Sequence, residues 1–320
     1  AQDAARASVL WDELDPTVRV PCGVAWFARR EDGWEALSAR TLESLGIAAE
    51  RVAARTAARW FPSLRTDDLA FVLWEPDAGV LRAREAVRAL VRRAAAHGAH
   101  VVAGTARPAS RDAGGAGAVV LEEDGRRLDA DVVVWACGAW LPALFPDLLA
   151  GVRVTQQDVF FFGASAAWAT PGVPGWVDYD GAAYGVGDLD GRGVKVAPDQ
   201  EGPALDPQSA RRLPLPEHER LARRYLGHRF PALADAPLVY TRTCQYEITA
   251  DTRFVMAPHP QHGSSVWLLG GGSGHAFKHG PALAEHLEAW IAGRRPVDPQ
   301  FGLGARAAEG ALRTAGGSLT

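Results

Sequence analysis

Gly270-Gly-Gly-Ser-Gly-His-Ala-Phe-Lys278 stands between an apolar run, Val266 to Leu269, and an amphipathic stretch that ends at Ile291. Strand, glycine-rich turn and helix in that order make an anion site, because free backbone N–H groups and the helix dipole point at whatever lies ahead of the helix. The stretch is not a phosphate-binding P-loop: Lys278 follows Phe277 rather than glycine and precedes His279 rather than Ser or Thr. Taken alone, a glycine-rich turn is a weak signal, and a structural turn is its commoner explanation. Lysine usage adds weight. Lys195 and Lys278 are the two lysines among 34 Lys and Arg residues, and both lie in glycine-marked segments. Lysine is a compact charge whose pKa burial can shift, whereas arginine is a permanently charged planar fork. Codon bias would leave either lysine by chance; their joint placement points to chemistry.

Working outward, residues 8–14, 34–45 and 82–97 have helical spacing, the last with Ala86, Val87, Leu90, Val91 and Ala94 on one face. Gly46 and Gly98 follow the second and third as helix stops. Residues 22–28, 71–74, 100–103 and 119–121 read as strands, with a glycine-rich hairpin region before the last. Ala130-Asp-Val-Val-Val-Trp-Ala136 is apolar enough for a strand buried on both faces, and it ends at Cys137-Gly138-Ala139-Trp140. Aromatic and β-branched clusters at 159–162, 176–179, 183–186 and 193–196 predict an antiparallel sheet. A helical stretch at 206–229 interrupts it before strands at 238–248, 254–257 and 266–269, and a helix at 278–291. The chain from Phe301 onward is expected to be loosely ordered.

With 48% hydrophobic and 22% charged residues the chain can build a large core. A formal net charge of −4, with arginines interspersed among acids, gives no basic footprint for nucleic acid. Cys22, Cys137 and Cys244 are odd in number and far apart, which argues against a disulfide framework and structural zinc. No apolar run approaches the ~20 residues that cross a bilayer, and the first residues lack the pattern of a signal peptide. A cytoplasmic protein with neither nucleic-acid nor membrane partners is the expectation. His259 and His262 read as turn residues.

Gly271-Gly-Ser-Gly-His-Ala-Phe-Lys278 resembles the C-terminal flavin loop, usually GFSGHGFK, of the sarcosine oxidase / N-methyltryptophan oxidase family within the D-amino-acid-oxidase-like superfamily. Thr243-Cys-Gln-Tyr-Glu-Ile-Thr-Ala-Asp-Thr-Arg-Phe254 resembles that family's C-x-Y-x-x-T-x-D-x-x-F segment. Residues 130–141 resemble its strand and GAW flavin contact, residues 79–101 the section leading to the adenine contact, and Tyr184-Gly to Lys195 the strand pair bearing its oxygen-activating lysine. These matches run in family order from about Ser8 to Pro299.

The resemblance implies an α/β fold: an FAD-binding domain of the glutathione-reductase/D-amino-acid-oxidase type interleaved with a mostly antiparallel substrate domain. Residues 1–20, 70–150 and 251–297 would belong to the first, 21–69 and 151–250 to the second, and 298–320 would be a tail. It implies FAD, held by Gly138, Ala139, Trp140, Gly271, Gly274, His275, Phe277 and Lys278, with Cys244 as a covalent attachment point. Tyr246 would line the pocket, Lys195 would activate oxygen and Lys278 would bind a substrate carboxylate. The implied reaction oxidises a secondary amine, an N-methyl or other N-alkyl amino acid, by hydride transfer to flavin and reoxidation by O2 to hydrogen peroxide. The alternatives are a flavin dehydrogenase with another acceptor, or a non-catalytic fragment or partner subunit. Family members begin with a G-x-G-x-x-G unit, whose backbone approaches the dinucleotide pyrophosphate. This sequence has none, so it resembles a member lacking its first several dozen residues, and alone it is expected to hold little FAD. Ala183, Asp199, Ala257 and Ala276 depart from the family's usual residues and put sarcosine itself in doubt as the substrate.

Overall fold

The structure, a computed structural model, describes residues 1–109 and 117–304. The tail beyond 304 and most of the expected glycine-rich hairpin region lie outside the described residues. Its largest unit is an eight-stranded sheet in the order β14-β10-β13-β12-β11-β2-β4-β3. Here β2 is Val24–Ala28, β3 Glu50–Val52, β4 Phe71–Glu75, β10 Arg153–Phe162, β11 Gly175–Asp178, β12 Ala183–Val186, β13 Val194–Pro198 and β14 Leu238–Ile248. All pairings are antiparallel except β2 with β11. Strand β4 comes from the stretch expected to accompany residues 70–150, yet it pairs between β2 and β3.

One face of this sheet is dry. Phe27, Phe160, Phe162, Val194, Val196 and Trp176 point to it and meet Tyr225, Leu226 and Phe230 at the end of helix α6 (Pro216–Arg229). The sequence pattern extends α6 back to residue 206, but the helix begins at Pro216, which occupies its first turn. Pro214, just upstream, restricts the residue before it to extended backbone, which delays the helix start. Arg229 is fully buried and held by Asp68 and Asp178.

A smaller sheet, in the order β15-β16-β9, packs Val255, Val266, Leu268, Val133 and Trp135 onto Leu141 and Phe145. Its strands are β9 (Val133–Trp135), β15 (Val255–His259) and β16 (Gly263–Gly270), with β9 parallel to β16. The expected strand at 130–136 is therefore shorter, and it is buried on one face only. Val133 and Trp135 are buried, while Val132 and Val134 are 37% and 39% exposed. The expected strand at 100–103 does not form. Val101 and Val102 are 66% and 55% exposed and nothing among the described residues pairs with them; extended backbone without a ladder partner leaves its hydrogen bonds to water. Instead β6 (Ala106–Pro108), β7 (Ala118–Leu121) and β8 (Arg127–Asp129) make a three-stranded meander.

Helix α1 (Gln2–Leu14) stops at Asp15, which is extended ahead of Pro16. It packs Ala7 and Trp11 on Ala86 and Ala89 of α4 (Ala83–Ala96) and on Ala282 of α7 (Gly280–Ile291). Only part of the expected α4 stripe is covered: Val87, Leu90 and Val91 remain exposed. A short pair, β1 (Arg19–Val20) with β5 (Val80–Leu81), and helices α2 (Trp34–Ser44), α3 (Ala54–Ala57) and α5 (Leu141–Leu144) complete the elements. Among the described residues no helix is long and apolar enough to cross a membrane.

Candidate active site

Register decides which side chains meet on the second face of the large sheet. Residues directly opposite in a ladder share a face, and residues two apart along a strand share it too. Lys195 is opposite Phe161 and Val186. Along β10, Phe161 is in phase with Gln157 and Thr155, which oppose Cys244 and Tyr246. Along β12, Val186 is in phase with Tyr184. So Tyr184, Lys195, Cys244 and Tyr246 all project from the face away from α6.

Their contacts follow from that placement. The Lys195 ammonium is 4.8 Å from the centre of the Tyr184 ring, a cation–π distance. The Tyr184 and Tyr246 hydroxyls are 3.2 Å apart. Burial pushes the Tyr246 phenol well above its ordinary value, and Tyr184 pushes it further. Tyr184 is the residue the sequence reading missed: there it only marked the start of the Lys195 strand pair. Nothing in the sequence alone placed it beside Lys195 and Tyr246, because that depends on register between strands.

The glycine-rich loop closes over the same strand. Gly274, at φ +76°, lies so close to Tyr246 that an added Cβ would be 2.2 Å from its ring. Gly271, at φ +67°, would bring a Cβ to 2.7 Å from Thr249. The Ser273 N–H donates to the Glu247 carbonyl at 2.9 Å, and the Ser273 hydroxyl donates to the Gly271 carbonyl at 3.1 Å. Two glycines are thus required by contact as well as by φ.

Phe277 and Lys278 lie in a 3-10 turn ahead of α7. Phe277 stacks on Trp11 at 5.5 Å, and the Trp11 indole N–H donates to the Lys278 carbonyl at 3.1 Å. Lys278 is open to solvent on one side, while the protein surrounding it pushes its ammonium below the ordinary range and Glu75 partly restores it. His275 and His279 are held neutral, each down to about 4, by burial and then by the Lys278 charge. Glu75, on β4, is pushed up by burial and accepts the Trp26 indole N–H at 2.5 Å.

Gly138, Ala139 and Trp140 form a 3-10 turn after β9, with Gly138 at φ +54° and Trp140 38% exposed. This turn joins the loop through Leu141, which fills the space where a Cβ on Gly270 would be, at 2.6 Å. Among the described residues no cluster of His, Cys, Asp or Glu could hold a metal. His259 and His262 face each other at 5.0 Å, and the Gln261 N–H donates to the His259 ring, as in a turn.

The residues present fit the ring end of a flavin. Trp140 and Phe277 are partly exposed aromatics, a Cβ on Gly138 would meet nothing within 4 Å and so leaves room for a ligand, and two lysines supply positive charge.

The family model described as DAO, FAD dependent oxidoreductase, matches residues 2–290. Monomeric sarcosine oxidase of Streptomyces avermitilis is 28% identical over 259 residues, covering 78% of this chain and 66% of the relative. N-methyl-L-tryptophan oxidase of Salmonella agona is 24% identical, covering 91% and 79%. Among solved structures, fructosyl peptide oxidase from E. terrenum superposes with a TM-score of 0.82 at 21% identity, covering 99% of this chain and 81% of that one. L-proline dehydrogenase from P. horikoshii superposes at 0.80 and 16%, covering 94% and 81%; these likenesses speak for the fold. The chain thus spans two thirds to four fifths of the length of these relatives. With the family model matched over residues 2–290 of 320, this chain belongs to the FAD dependent oxidoreductase family.

Proposed function

We propose that the protein oxidises a secondary amine carrying a carboxylate, an N-methyl or other N-alkyl amino acid, with O2 as the electron acceptor and hydrogen peroxide as the product. The observation that carries this reading is the common face of Lys195, Tyr184 and Tyr246 beneath Gly274. The smaller sheet with the Gly138–Trp140 turn and the glycine-rich loop is the FAD side; the large sheet is the substrate side. Gly138, Ala139, Trp140, Gly271, Gly274, His275, Phe277 and Lys278 would hold the cofactor, and Cys244, a free half-buried thiol on the site face, would tether it covalently. When bound, the flavin supplies hydride acceptance and electron transfer to oxygen.

The chain's own groups then have separate tasks. Lys278 takes the substrate carboxylate, aided by the start of α7 behind it. Neutral His275 and His279 keep further positive charge away from that position. Tyr184 and Tyr246 wall the amine and exclude water, and burial keeps the Tyr246 phenol protonated. Lys195 is held against the Tyr184 ring, where it favours negative charge developing on oxygen. Three free cysteines fit a reducing cytoplasm. Flavin-loaded protein given N-methyl amino acids should bleach its flavin, consume oxygen and release peroxide. Bleaching without oxygen uptake would move the assignment to a dehydrogenase, and no bleaching by any secondary amine would remove the substrate class.

A further inference from the structure

Glu247 takes no part in this scheme, yet it lies inside the frame of the site. It follows Tyr246 on β14 and is opposite Val154, so it leaves the strand on the other face. There it is wedged under the glycine-rich loop. Oε1 accepts the Gly272 N–H at 3.2 Å, and the Gly271 N–H also acts on the carboxyl. A Cβ added to Gly270 would be 3.0 Å from Oε2, and one on Gly272 would be 3.4 Å from Oε1. Among the described residues Oε2 is sealed from solvent and has no hydrogen-bond partner. The titratable group facing it is Cys137, at the turn after β9, whose thiol is pushed up by burial and then by Glu247. Among the described residues no cation pairs with the carboxylate; burial pushes its pKa up and the two glycine amides pull it back.

We propose that Glu247 is a positioning residue for the glycine-rich loop, and that its carboxylate, once ionised, sets the charge the loop presents to a bound flavin. An ionised acceptor makes the stronger, charge-assisted bonds to backbone N–H groups. Here those bonds consume the Gly271 and Gly272 amides internally and fix the loop so that Gly274 to Lys278 face the site. The same negative charge, uncompensated and close by, opposes added electron density on the ring. This inference rests on the flavin reading, so its test has one arm that needs no flavin.

Glu247→Gln keeps the shape and the Oε1 acceptor while removing the charge. In the first arm, hydrogen exchange of residues 271–273 is followed against pH in the chain without flavin. The parent should show loop protection rising with pH through an inflection above the ordinary glutamate value of 4.5. Glu247→Gln should lack that inflection, and Cys137→Ser should keep it. In the second arm, flavin-loaded Glu247→Gln should favour reduced over oxidised flavin by about tenfold relative to the parent. That is a rise of about 30 mV for a two-electron couple. An inflection that survives in Glu247→Gln, or that disappears in Cys137→Ser, overturns the proposal, as does an unchanged potential. A chain that never loads flavin overturns the functional reading instead, and the exchange arm still decides whether Glu247 holds the loop.

Discussion

Replacing Arg229 with Met should cost the protein about 3 kcal/mol of stability, at the low end of the ~3–5 kcal/mol for breaking a buried ion pair by removing one partner. The guanidinium has no solvent exposure and makes five hydrogen bonds: 2.7 and 3.0 Å to Asp68, 3.2 and 3.0 Å to Asp178, and 2.7 Å to the Arg65 carbonyl. Burial opposes its charge, but Asp68 and Asp178 more than offset that and hold its pKa above the ordinary range. Methionine fills much of the volume, so the loss is electrostatic rather than a cavity. It leaves Asp178 fully buried with its Gly181 N–H bond at 2.7 Å and Arg29 at 3.7 Å. Arg29 also stands 3.6 Å from Asp68 and can move in, which places the cost low in the range. Urea unfolding followed by tryptophan fluorescence measures it, and the thermal midpoint should fall by about 6–12 °C. Adding Asp178→Asn to Arg229→Met should recover stability, because the stranded charge goes with it. A loss under about 1 kcal/mol, or a double variant worse than the single one, would refute the assignment of this cluster as an ion-paired core.

Four further outcomes follow from the site and this cluster. Lys195→Met should leave flavin reduction by substrate nearly intact and slow reoxidation by about 10²–10³-fold in stopped flow; reoxidation at the parent rate rules out the oxygen role. Lys278→Ala should weaken anionic substrates and inhibitors while reoxidation changes less; equal weakening of a carboxylate ligand and its neutral amide contradicts carboxylate binding. Cys244→Ser should release flavin on acid precipitation where the parent retains it, and flavin that washes out of the parent disproves the tether. The Asp68 carboxyl, against the push of burial, is held down to about 2 by Arg229, His228 and Arg29. Its stabilising share is therefore present above about pH 3.8 and lost as pH falls from there through about 2. Urea midpoints taken across that window should fall with acid, and the acid limb should shrink in Arg229→Met.

Much of this was legible in the sequence, for reasons that differ by element. The strands of the large sheet announced themselves because aromatic and β-branched residues cluster where one face is buried, as at Phe160 and Phe162. The glycine-rich loop was legible because contact with Tyr246 and Thr249 permits nothing larger than glycine at two of its positions. What could not be read was pairing. That Lys195 is opposite Phe161, and Cys244 opposite Gln157, is a property of register between segments far apart in the chain. Without it Tyr184 has no visible neighbour, and Arg229 looks like one more surface arginine in a run of charges. The strand expected at 100–103 failed for the same cause: local propensity proposes a strand, but a partner has to be there to make one.

The shared face of β10, β12, β13 and β14 also limits how this site can change over time. Side chains alternate with a period of two, so adding or removing a single residue inside β14 between Tyr240 and Tyr246 would turn Cys244 or Tyr246 toward α6 and bring core-facing neighbours into the pocket. The one irregularity in the β10–β14 ladder lies between Phe161 and Phe162, past the last of these positions, where a slip no longer reaches them. Substitution can therefore reshape the pocket one position at a time, whereas changes of length are confined to the turns outside this block of strands.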